Sequence, residues 1–398
     1  MTHETAVETQ PEAPRPGSRR RWLKQALGAA AGMAMPPAVR AAQPAVKVGV
    51  SLPLTASAAS SAASATNIVP DLGLDYLAGF NAAIEIERRG MEIETVALDD
   101  ADGPQAARAN VEDLERQGVV AVSGGWSGAK VRAMLPVLEA AQLPMVGIYS
   151  GEPDLRGGTH PMLFHLRPGY DDELNTLVKV MGGAGFTRLG VLHAGDDFGR
   201  MGLTLLGRTQ AQVVKAQSVA RLVPADAADA AREIVSAPGV QSLLVLTPVE
   251  VLAPVMTELR IRKSPFLAPV SALSHVLCNK LAAARDPVYR AFAVTCPYPN
   301  PLYARSGVAA RFRDAMADAG LDHADRSYSA FEGFVAGSLL ARALVSVRAA
   351  PTRQALAAAL RAKAHDLGGL RIAFDAQQVG WRRVSFLYKS PADGNFRA

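Results

Sequence analysis

The residues best placed to do chemistry lie in the segment Gly124-Gly125-Trp126-Ser127-Gly128, between an apolar run and an amphipathic one. Such a turn ends a strand and opens a helix, so backbone N–H groups and the Ser127 hydroxyl are predicted to face an anionic ligand group. A second segment, Ser150-Gly151-Glu152, follows the next apolar run. Ligands of parallel sheets bind beyond the carboxyl ends of the strands, so both segments are expected at one binding site.

An enzymatic interpretation starts from the same turn. Gly125-Trp126-Ser127-Gly128-Ala129 is close to the G-x-S-x-G nucleophile elbow of α/β hydrolases, but alanine replaces its last glycine. His275, His323 and His365 follow the serine without lying in a recognisable motif. The chain also has no G-x-G-x-x-G after its first strand, no P-loop, no H-E-x-x-H and no cysteine cluster. The sequence therefore favours binding over catalysis, and no catalytic residue, metal or cofactor is predicted.

The elements that must position these residues alternate along the chain. Beyond residue 41, short apolar runs alternate with longer amphipathic ones, as in parallel strands joined by crossover helices. A first unit extends from a strand at Val46–Val50 to one at Pro144–Ile148, and a second from a helix at Asp171–Met181 to a strand at Phe292–Thr295. The predicted elements within the first unit include the strand Val119–Val122, and those within the second include the helix Gly199–Ala211 and the strand Ser218–Leu222.

Helical sequence returns late in the chain, at Gly307–Ala319, Tyr328–Val347 and Thr352–Ala364. A helical stretch of that length must cover a sheet, and the sheet of the first unit is the expected one. Two strands, Leu370–Phe374 and Val384–Tyr388, complete the pattern. The chain is therefore expected to pass between the two units more than once.

The first 41 residues predict an export signal. Ser18-Arg19-Arg20-Arg21-Trp22-Leu23-Lys24 resembles the twin-arginine consensus, and the apolar run Ala26–Met35 is too short to span a bilayer. Cleavage is expected after Ala41, with Val39 two residues before it, and a disordered cytosolic tail explains neither this order nor the cleavage site. We therefore predict a periplasmic protein.

Charge and cysteine content limit the partners. Removal of the signal leaves 36 basic and 34 acidic residues, and no run of Lys and Arg is interleaved with aromatic residues, so nucleic acid is not expected as a partner. Cys278 and Cys296 are the two cysteines of the chain. In an oxidising compartment they can form a disulfide, or they can remain buried thiols, and the sequence leaves both alternatives open.

Six segments carry a resemblance through their order and spacing: Leu98-Asp99-Asp100, Ser123–Gly128, Arg167–Glu173, Asp196–Gly199, Tyr328–Ala336 and Asp366–Gly369. Together they resemble the type I periplasmic binding proteins of the branched-chain amino acid transport group, which are the solute receptors of ABC importers. The resemblance covers essentially the whole chain after residue 41. It implies an α/β fold of two doubly wound parallel-sheet lobes joined by three hinge crossovers, which close on a small polar solute.

The implied domains are a signal peptide at 1–41, a first lobe at 42–168 plus 301–367, and a second lobe at 169–300 plus 368–398. The implied partners are a small-molecule solute and an ABC permease in the inner membrane, without catalysis or a cofactor. A ligand-binding subunit of a membrane sensor remains an alternative, and an exported hydrolase using Ser127 is the enzymatic one. Sugar repressors of the same fold carry an N-terminal helix-turn-helix, where this chain has an export signal.

The resemblance also implies the site residues. Ser127 matches the serine that holds the acid group of the ligand in this family. Gly151 stands where the branched-chain receptors have a threonine, so Ser150 is expected to supply a hydroxyl, and Phe198 stands where they have a tyrosine. The predicted ligand-binding residues are Ser127, Gly128, Ser150, Gly151, Glu152, Tyr170, Asp171, Phe198, Thr247, Val270 and Ser271.

One departure from the family bears on the ligand. Pro269-Val270-Ser271 occupies the position where amino acid receptors have a glutamate that pairs with the α-amino group of the ligand. Burying an ammonium group without a partner costs several kcal/mol. Either Glu152, Glu250 or Asp171 takes that role, or the ligand has no amine. We favour the second alternative, an aromatic or short-chain acid.

Overall fold

The computed structural model describes residues 45–55, 68–101, 103–219, 224–247, 255–258, 266–268, 292–301, 304–321, 327–347, 351–390, 392 and 396–397. Its first sheet contains β1 (Val46–Leu52), β2 (Ile93–Asp99), β3 (Val122–Gly124), β4 (Met145–Ile148) and β5 (Leu163–Phe164). These strands are all parallel and lie in the order β2-β1-β3-β4-β5. The first three are each followed by a helix: α1 (Ile68–Glu87), α2 (Pro104–Arg116) and α3 (Gly128–Ala140).

The second sheet begins after α4 (Tyr170–Gly183). Its parallel strands are β6 (Arg188–Ala194), β7 (Gln212–Val219), β8 (Ser242–Leu246), β9 (Phe266–Ala268) and β10 (Phe292–Cys296). Helix α5 (Asp197–Leu206) joins β6 to β7, and α6 (Pro224–Val235) precedes β8. The predicted pair of α/β units is therefore confirmed.

The late part of the chain adds three helices, a small ladder and two edge strands. The helices are α7 (Gly307–Asp318), α8 (Tyr328–Ser346) and α9 (Arg353–Ala362), and the ladder pairs β11 (His365–Asp366) with β12 (Arg371–Ile372). Strands β13 (Ser385–Lys389) and β14 (Phe396–Arg397) then join the second sheet, antiparallel to their neighbours. No helix in the described part of the chain has the length and apolar character needed to cross a membrane.

Two predicted strands lie elsewhere. Strand β3 begins at Val122 rather than Val119, and β7 occupies 212–219 rather than Ser218–Leu222. Strand β7 is paired on one side only, and its exposed residues alternate with half-buried ones, so it lacks the continuous apolar run of a central strand. The helix predicted to reach Ala211 accordingly ends at Leu206.

The late helices pack on the first sheet, as the sequence indicates. The core of the first half unites residues of β1, α1 and β4 with residues of α7, α8 and α9. Helix α8 is buried along almost its whole length, which agrees with its mostly apolar sequence. A separate core lies between the second sheet and α4, α5 and α6.

The chain passes between the two cores three times. It leaves the first core after β5, returns after β10, and leaves again before β13. Phe374 still packs edge-on against Phe164, and Val379 forms a β-bridge with His165. These contacts favour a third crossing after residue 379, later than the predicted boundary at residue 367, and the exact lobe boundaries stay predictions.

Candidate functional site

The predicted site residues within the described chain lie at strand ends or at the first crossing. Ser127 and Gly128 follow β3, and Ser150, Gly151 and Glu152 follow β4. In the second half, Phe198 follows β6 and Thr247 follows β8, while Tyr170 and Asp171 open α4. Val270 and Ser271, like Glu250 and Cys278, lie outside the described residues. Those that lie at strand ends occupy the carboxyl edges of the two sheets, where ligands of such folds bind.

The turn after β3 has an unusual backbone. Gly124 and Gly125 have φ angles of 105° and 68°, and Ser127 has a φ of 93° although it carries a side chain. A non-glycine residue in this region is strained, and such strain concentrates at functional sites. Ser127 is the N-cap of α3, and its hydroxyl oxygen lies 3.5 Å from the backbone N of Lys130, at the limit of a hydrogen bond. Its side chain is exposed and can still contact a solute.

The loop after β4 turns toward α3. The Gly128 N–H donates to Glu152 Oε1 at 3.0 Å, and Arg132 Nη1 donates to Glu152 Oε2 at 2.7 Å. The hydroxyl of Ser150 accepts from the Glu152 N–H at 3.3 Å. The structure therefore brings together the turn after β3 and the loop after β4, but it pairs the Glu152 carboxylate with the start of α3.

The same loop touches the second half through Gly151. The Tyr170 N–H donates to the Gly151 carbonyl at 2.8 Å, and a Cβ on Gly151 would lie 2.5 Å from the Tyr170 ring. The family's threonine therefore cannot replace Gly151 unless that ring shifts. The Tyr170 ring packs edge-on against Phe198 with 5.9 Å between centroids. Glycine at 151 thus allows an aromatic pair of the second half to approach the first.

Phe198 is positioned by the residues around it. Asp196 accepts a hydrogen bond from the Gly199 N–H at 2.9 Å and caps α5. A Cβ on Gly199 would lie 2.0 Å from the Ala194 carbonyl oxygen, so only glycine lets the helix start this close to β6. Of the other predicted residues, Asp171 is exposed and Thr247 is buried. Cys296 is buried, and both alternatives, a disulfide with Cys278 and a buried thiol, stay open.

An aromatic stack beside the site was not predicted. The Tyr149 ring lies parallel to the Trp126 ring at 4.1 Å, and Arg167 Cζ lies 4.4 Å from the centroid of the Tyr149 ring. The guanidinium and the rings attract each other through a cation–π contact and stacking. Trp126 lies within the turn after β3, Arg167 opens the segment Arg167–Glu173, and Tyr149 directly precedes Ser150, and this placement is the signal that could have identified them. Trp126 is half-buried and gives the site an apolar surface.

Behind this stack lies a buried charge cluster. Arg167 Nη2 donates to Glu332 Oε2 at 3.1 Å, and Arg167 Nε lies 3.1 Å from Glu332 Oε1. Glu173 accepts from the Thr295 hydroxyl at 2.7 Å. Burial raises the pKa of Glu332 to about 7, with Glu173 acting in the same direction and Arg167 opposing it. Glu332 is the single carboxylate of the mostly apolar helix α8, which is the sequence signal for its pairing with a buried cation.

The acidic segment Leu98-Asp99-Asp100 has a structural role. Asp99 Oδ1 accepts from the N–H groups of Leu54 and Ala101 at 2.9 and 3.0 Å. Asp100 Oδ1 lies 2.5 Å from Lys130 Nζ, and the Ser51 hydroxyl donates to Asp100 Oδ2 at 3.0 Å. These carboxylates hold the loops at the sheet edge. Within the described chain, no three His, Cys, Asp or Glu side chains are grouped to hold a metal ion.

Comparison with solved structures identifies the same architecture in proteins of several bacteria. A substrate-binding periplasmic protein from Ralstonia solanacearum is 25% identical, with a TM-score of 0.71 over 88% of this chain and 99% of that one. A possible leucine/isoleucine/valine-binding protein from Rhodopirellula baltica SH 1 is 20% identical, with a TM-score of 0.71 over 91% and 98% of the two chains.

A third relative was solved with a ligand. The solute binding protein of an ABC transporter from Rhodopseudomonas palustris HaA2, in complex with p-hydroxybenzoic acid, is 15% identical, with a TM-score of 0.73 over 89% and 95% of the two chains. A search of the curated proteins returned no significant match.

The sequence itself matches the periplasmic binding protein family over residues 45–388. This match covers the first sheet, the second sheet up to β13, both cores and every predicted site residue. It is a family of binding proteins rather than enzymes, and its members act outside the cytoplasm. The chain belongs to the periplasmic binding protein family.

Proposed function

We propose that this protein is the solute receptor of an ABC importer, which captures a small carboxylate-bearing solute between its two halves and delivers it to a permease. One observation carries the proposal: the loop after β4 contacts α3 of the first half through Glu152 and the Tyr170–Phe198 pair of the second half through Gly151. A solute bound at this loop would touch both halves. Such contacts let a ligand favour the closed arrangement of two lobes.

The solute class is inferred from the chemistry at the site. The exposed Ser127 hydroxyl beside the start of α3 is suited to an acid group, and the Trp126 ring is suited to an apolar body, while the Gly128 N–H is available to a solute only when Glu152 moves aside. Amino acids and aromatic or short-chain organic acids have both parts. The names of two relatives, one with p-hydroxybenzoic acid and one a possible receptor for leucine, isoleucine and valine, support the same classes.

A thermal-shift screen tests the proposal. Purified protein is unfolded and refolded to remove any carried solute, then heated with amino acids, aromatic acids, short dicarboxylates and amides. A solute at about 100 times its dissociation constant adds about 2.7 kcal/mol to the free energy of unfolding, which raises the melting temperature clearly. If no class of solute raises the melting temperature, the proposal of a solute receptor of this kind is contradicted.

Ser127 provides a test at the level of one residue. We expect Ser127→Ala to weaken binding of the solute identified in that screen by about 1–3 kcal/mol, because a polar group of the solute loses its partner. Ser127→Gly is the matched variant, since it also removes the hydroxyl but relieves the strain of the positive φ. Isothermal titration calorimetry should show weaker binding in both variants. Unchanged affinity in both would remove Ser127 from the site.

Export is proposed to depend on the twin arginines. Arg19 and Arg20 lie in the twin-arginine segment, outside the described residues. We expect replacement of both by lysine to keep the protein inside the cytoplasm, because lysine keeps the charge but not the planar guanidinium. Cell fractionation measures the result. Replacement of Arg15 by lysine is the control and should leave export intact, whereas export of the double variant would point to the general secretory route.

A further inference from the structure

The carboxylate of Glu152 lies directly on the backbone at the start of α3. Its Oε1 accepts from the Gly128 N–H at 3.0 Å, and a Cβ on Gly128 would lie 2.2 Å from the carboxyl carbon and from both carboxyl oxygens. The carboxylate and this backbone therefore leave no room for even a methyl group between them. Only glycine at 128 permits this contact.

The contact satisfies a helix N-terminus, which is the kind of backbone that binds anions. The first N–H groups of a helix have no partner within the helix, and the aligned peptide dipoles place partial positive charge there. Helix α3 has 13 residues and starts at the carboxyl edge of the first sheet, next to the exposed Ser127 hydroxyl. A second carboxylate cannot occupy the same N–H group, and at close range it would be repelled by Glu152.

Arg132 makes displacement of Glu152 feasible. Its Nη1 lies 2.7 Å from Glu152 Oε2 and 2.6 Å from Asp154 Oδ2, so one guanidinium serves two carboxylates. The Arg132 and Asp154 side chains are 45% and 57% exposed. If Glu152 moves away, Arg132 keeps Asp154 and water as partners, and no buried charge is left alone.

We propose that Glu152 is a specificity-determining residue that occupies the acid-binding end of α3 and lowers the affinity for organic acids. This inference rests on the proposed function. A solute carboxylate binds at Gly128 only when Glu152 leaves, so each acid pays the cost of that displacement. A neutral solute of the same shape does not compete with Glu152. The residue thereby selects among solutes by the charge of the group they present to α3.

The first experiment fills the vacated position with a small carboxylate. Full-length Glu152→Ala protein is heated in sodium acetate and in sodium chloride at equal ionic strength. We expect acetate to raise the melting temperature of this variant by a few degrees relative to chloride, because acetate replaces the missing carboxylate at the Gly128 N–H. The controls are the wild type and Asp154→Ala, which lacks the other carboxylate at Arg132. An equal response of all three proteins would overturn the inference.

The second experiment measures selectivity, with a variant that keeps the side-chain shape. Glu152→Gln retains an oxygen that can accept from Gly128 but loses the negative charge. Calorimetry compares benzoate with benzamide and propionate with propionamide. We expect the affinity for at least one of the two acids, measured relative to the affinity for its own amide, to be about fivefold to tenfold higher in the variant than in the wild type.

The outcomes separate the two proposals. If neither acid gains affinity in Glu152→Gln, or acid and amide gain equally, the role of Glu152 is contradicted while solute capture stands on the broader screen. If no solute of any class binds the wild type or the variants, the receptor function itself fails.

Discussion

Replacing Gly333 by alanine is expected to lower the free energy of unfolding by about 3 kcal/mol, and replacing it by valine by more. A Cβ at this position of α8 would lie 2.0 Å from the Tyr76 carbonyl oxygen and 3.1 Å from the Phe80 backbone N, both in α1. Backbone atoms of a helix cannot rotate aside as a side chain can. The two helices would have to separate, and the core of the first half would lose its packing.

The contact is reciprocal. A Cβ on Gly79 of α1 would lie 1.8 Å from the Ala330 carbonyl oxygen of α8, and one on Gly337 would lie 2.5 Å from the Phe80 carbonyl oxygen. The Ser329 hydroxyl donates to the Leu72 carbonyl at 2.7 Å across the same interface. Glycines at 333 and 337 are one helical turn apart, so they present the same face to α1. Backbone-to-backbone packing thus anchors α8 to the first half.

Urea denaturation measures the effect, with Gly182→Ala as the matched control. Gly182 is also helical, but a Cβ there has no neighbouring atom within 4 Å. Alanine at 182 should therefore be neutral or stabilise by up to about 1 kcal/mol, because alanine restricts the unfolded chain and favours helix. Equal stability of the two alanine variants would contradict the close approach of α1 and α8.

Helix α8 illustrates what the sequence could predict. Its residues are mostly apolar, with Glu332 and Arg342 as its two charged side chains, which indicates a largely buried helix that packs on a sheet. The order of strands and helices then predicts two parallel sheets and repeated crossings. The same reasoning misplaced edge strand β7, because half of its residues are exposed and it has no continuous apolar run. Periodicity predicts elements that are buried on both faces better than elements at an edge.

The sequence predicted where the candidate residues lie along the strands, but not which of them contact one another. Ser127 and Phe198 were placed correctly at strand ends, since topology alone decides where the carboxyl edge lies. The pairing of Glu152 with Gly128 depends on how one loop folds back, and no periodicity encodes this. The stack of Trp126, Tyr149 and Arg167 unites three separate strand ends. Contacts of this kind follow from tertiary packing and require the structure.

Replacing Arg167 by methionine is expected to lower the free energy of unfolding by about 3–5 kcal/mol at pH 8, because Glu332 would remain buried without its cation. Both side chains are at most 1% exposed, and they meet through contacts of 3.1 Å. Methionine fills much of the volume of arginine, so the loss reports charge rather than a cavity. The double variant Arg167→Met, Glu332→Leu should recover much of the stability, since the carboxylate that would face methionine is gone and Glu173 keeps its hydrogen bond from the Thr295 hydroxyl.

The loss should depend on pH, and the sign follows from Glu332. Burial raises the pKa of its carboxyl from 4.5 to about 7, so between these values the folded protein binds more protons than the unfolded chain. The stability contributed by the protonated carboxyl is therefore fully present below about pH 4.5 and is lost as the pH rises through 7. Without Arg167, which lowers this pKa, the loss extends to higher pH.

Denaturation curves at pH 5 and pH 8 measure this dependence, and Glu332→Gln is the control because its amide does not titrate. Relative to the control, the wild type should lose on the order of 3 kcal/mol of stability between these pH values, and Arg167→Met should lose more. If the free energy of unfolding changes equally with pH in the wild type and in Glu332→Gln, Glu332 stays ionised in the folded protein between pH 5 and pH 8. The cluster would then act as a permanent ion pair that fixes the first crossing against α8, and the methionine variant would be equally destabilised at both pH values.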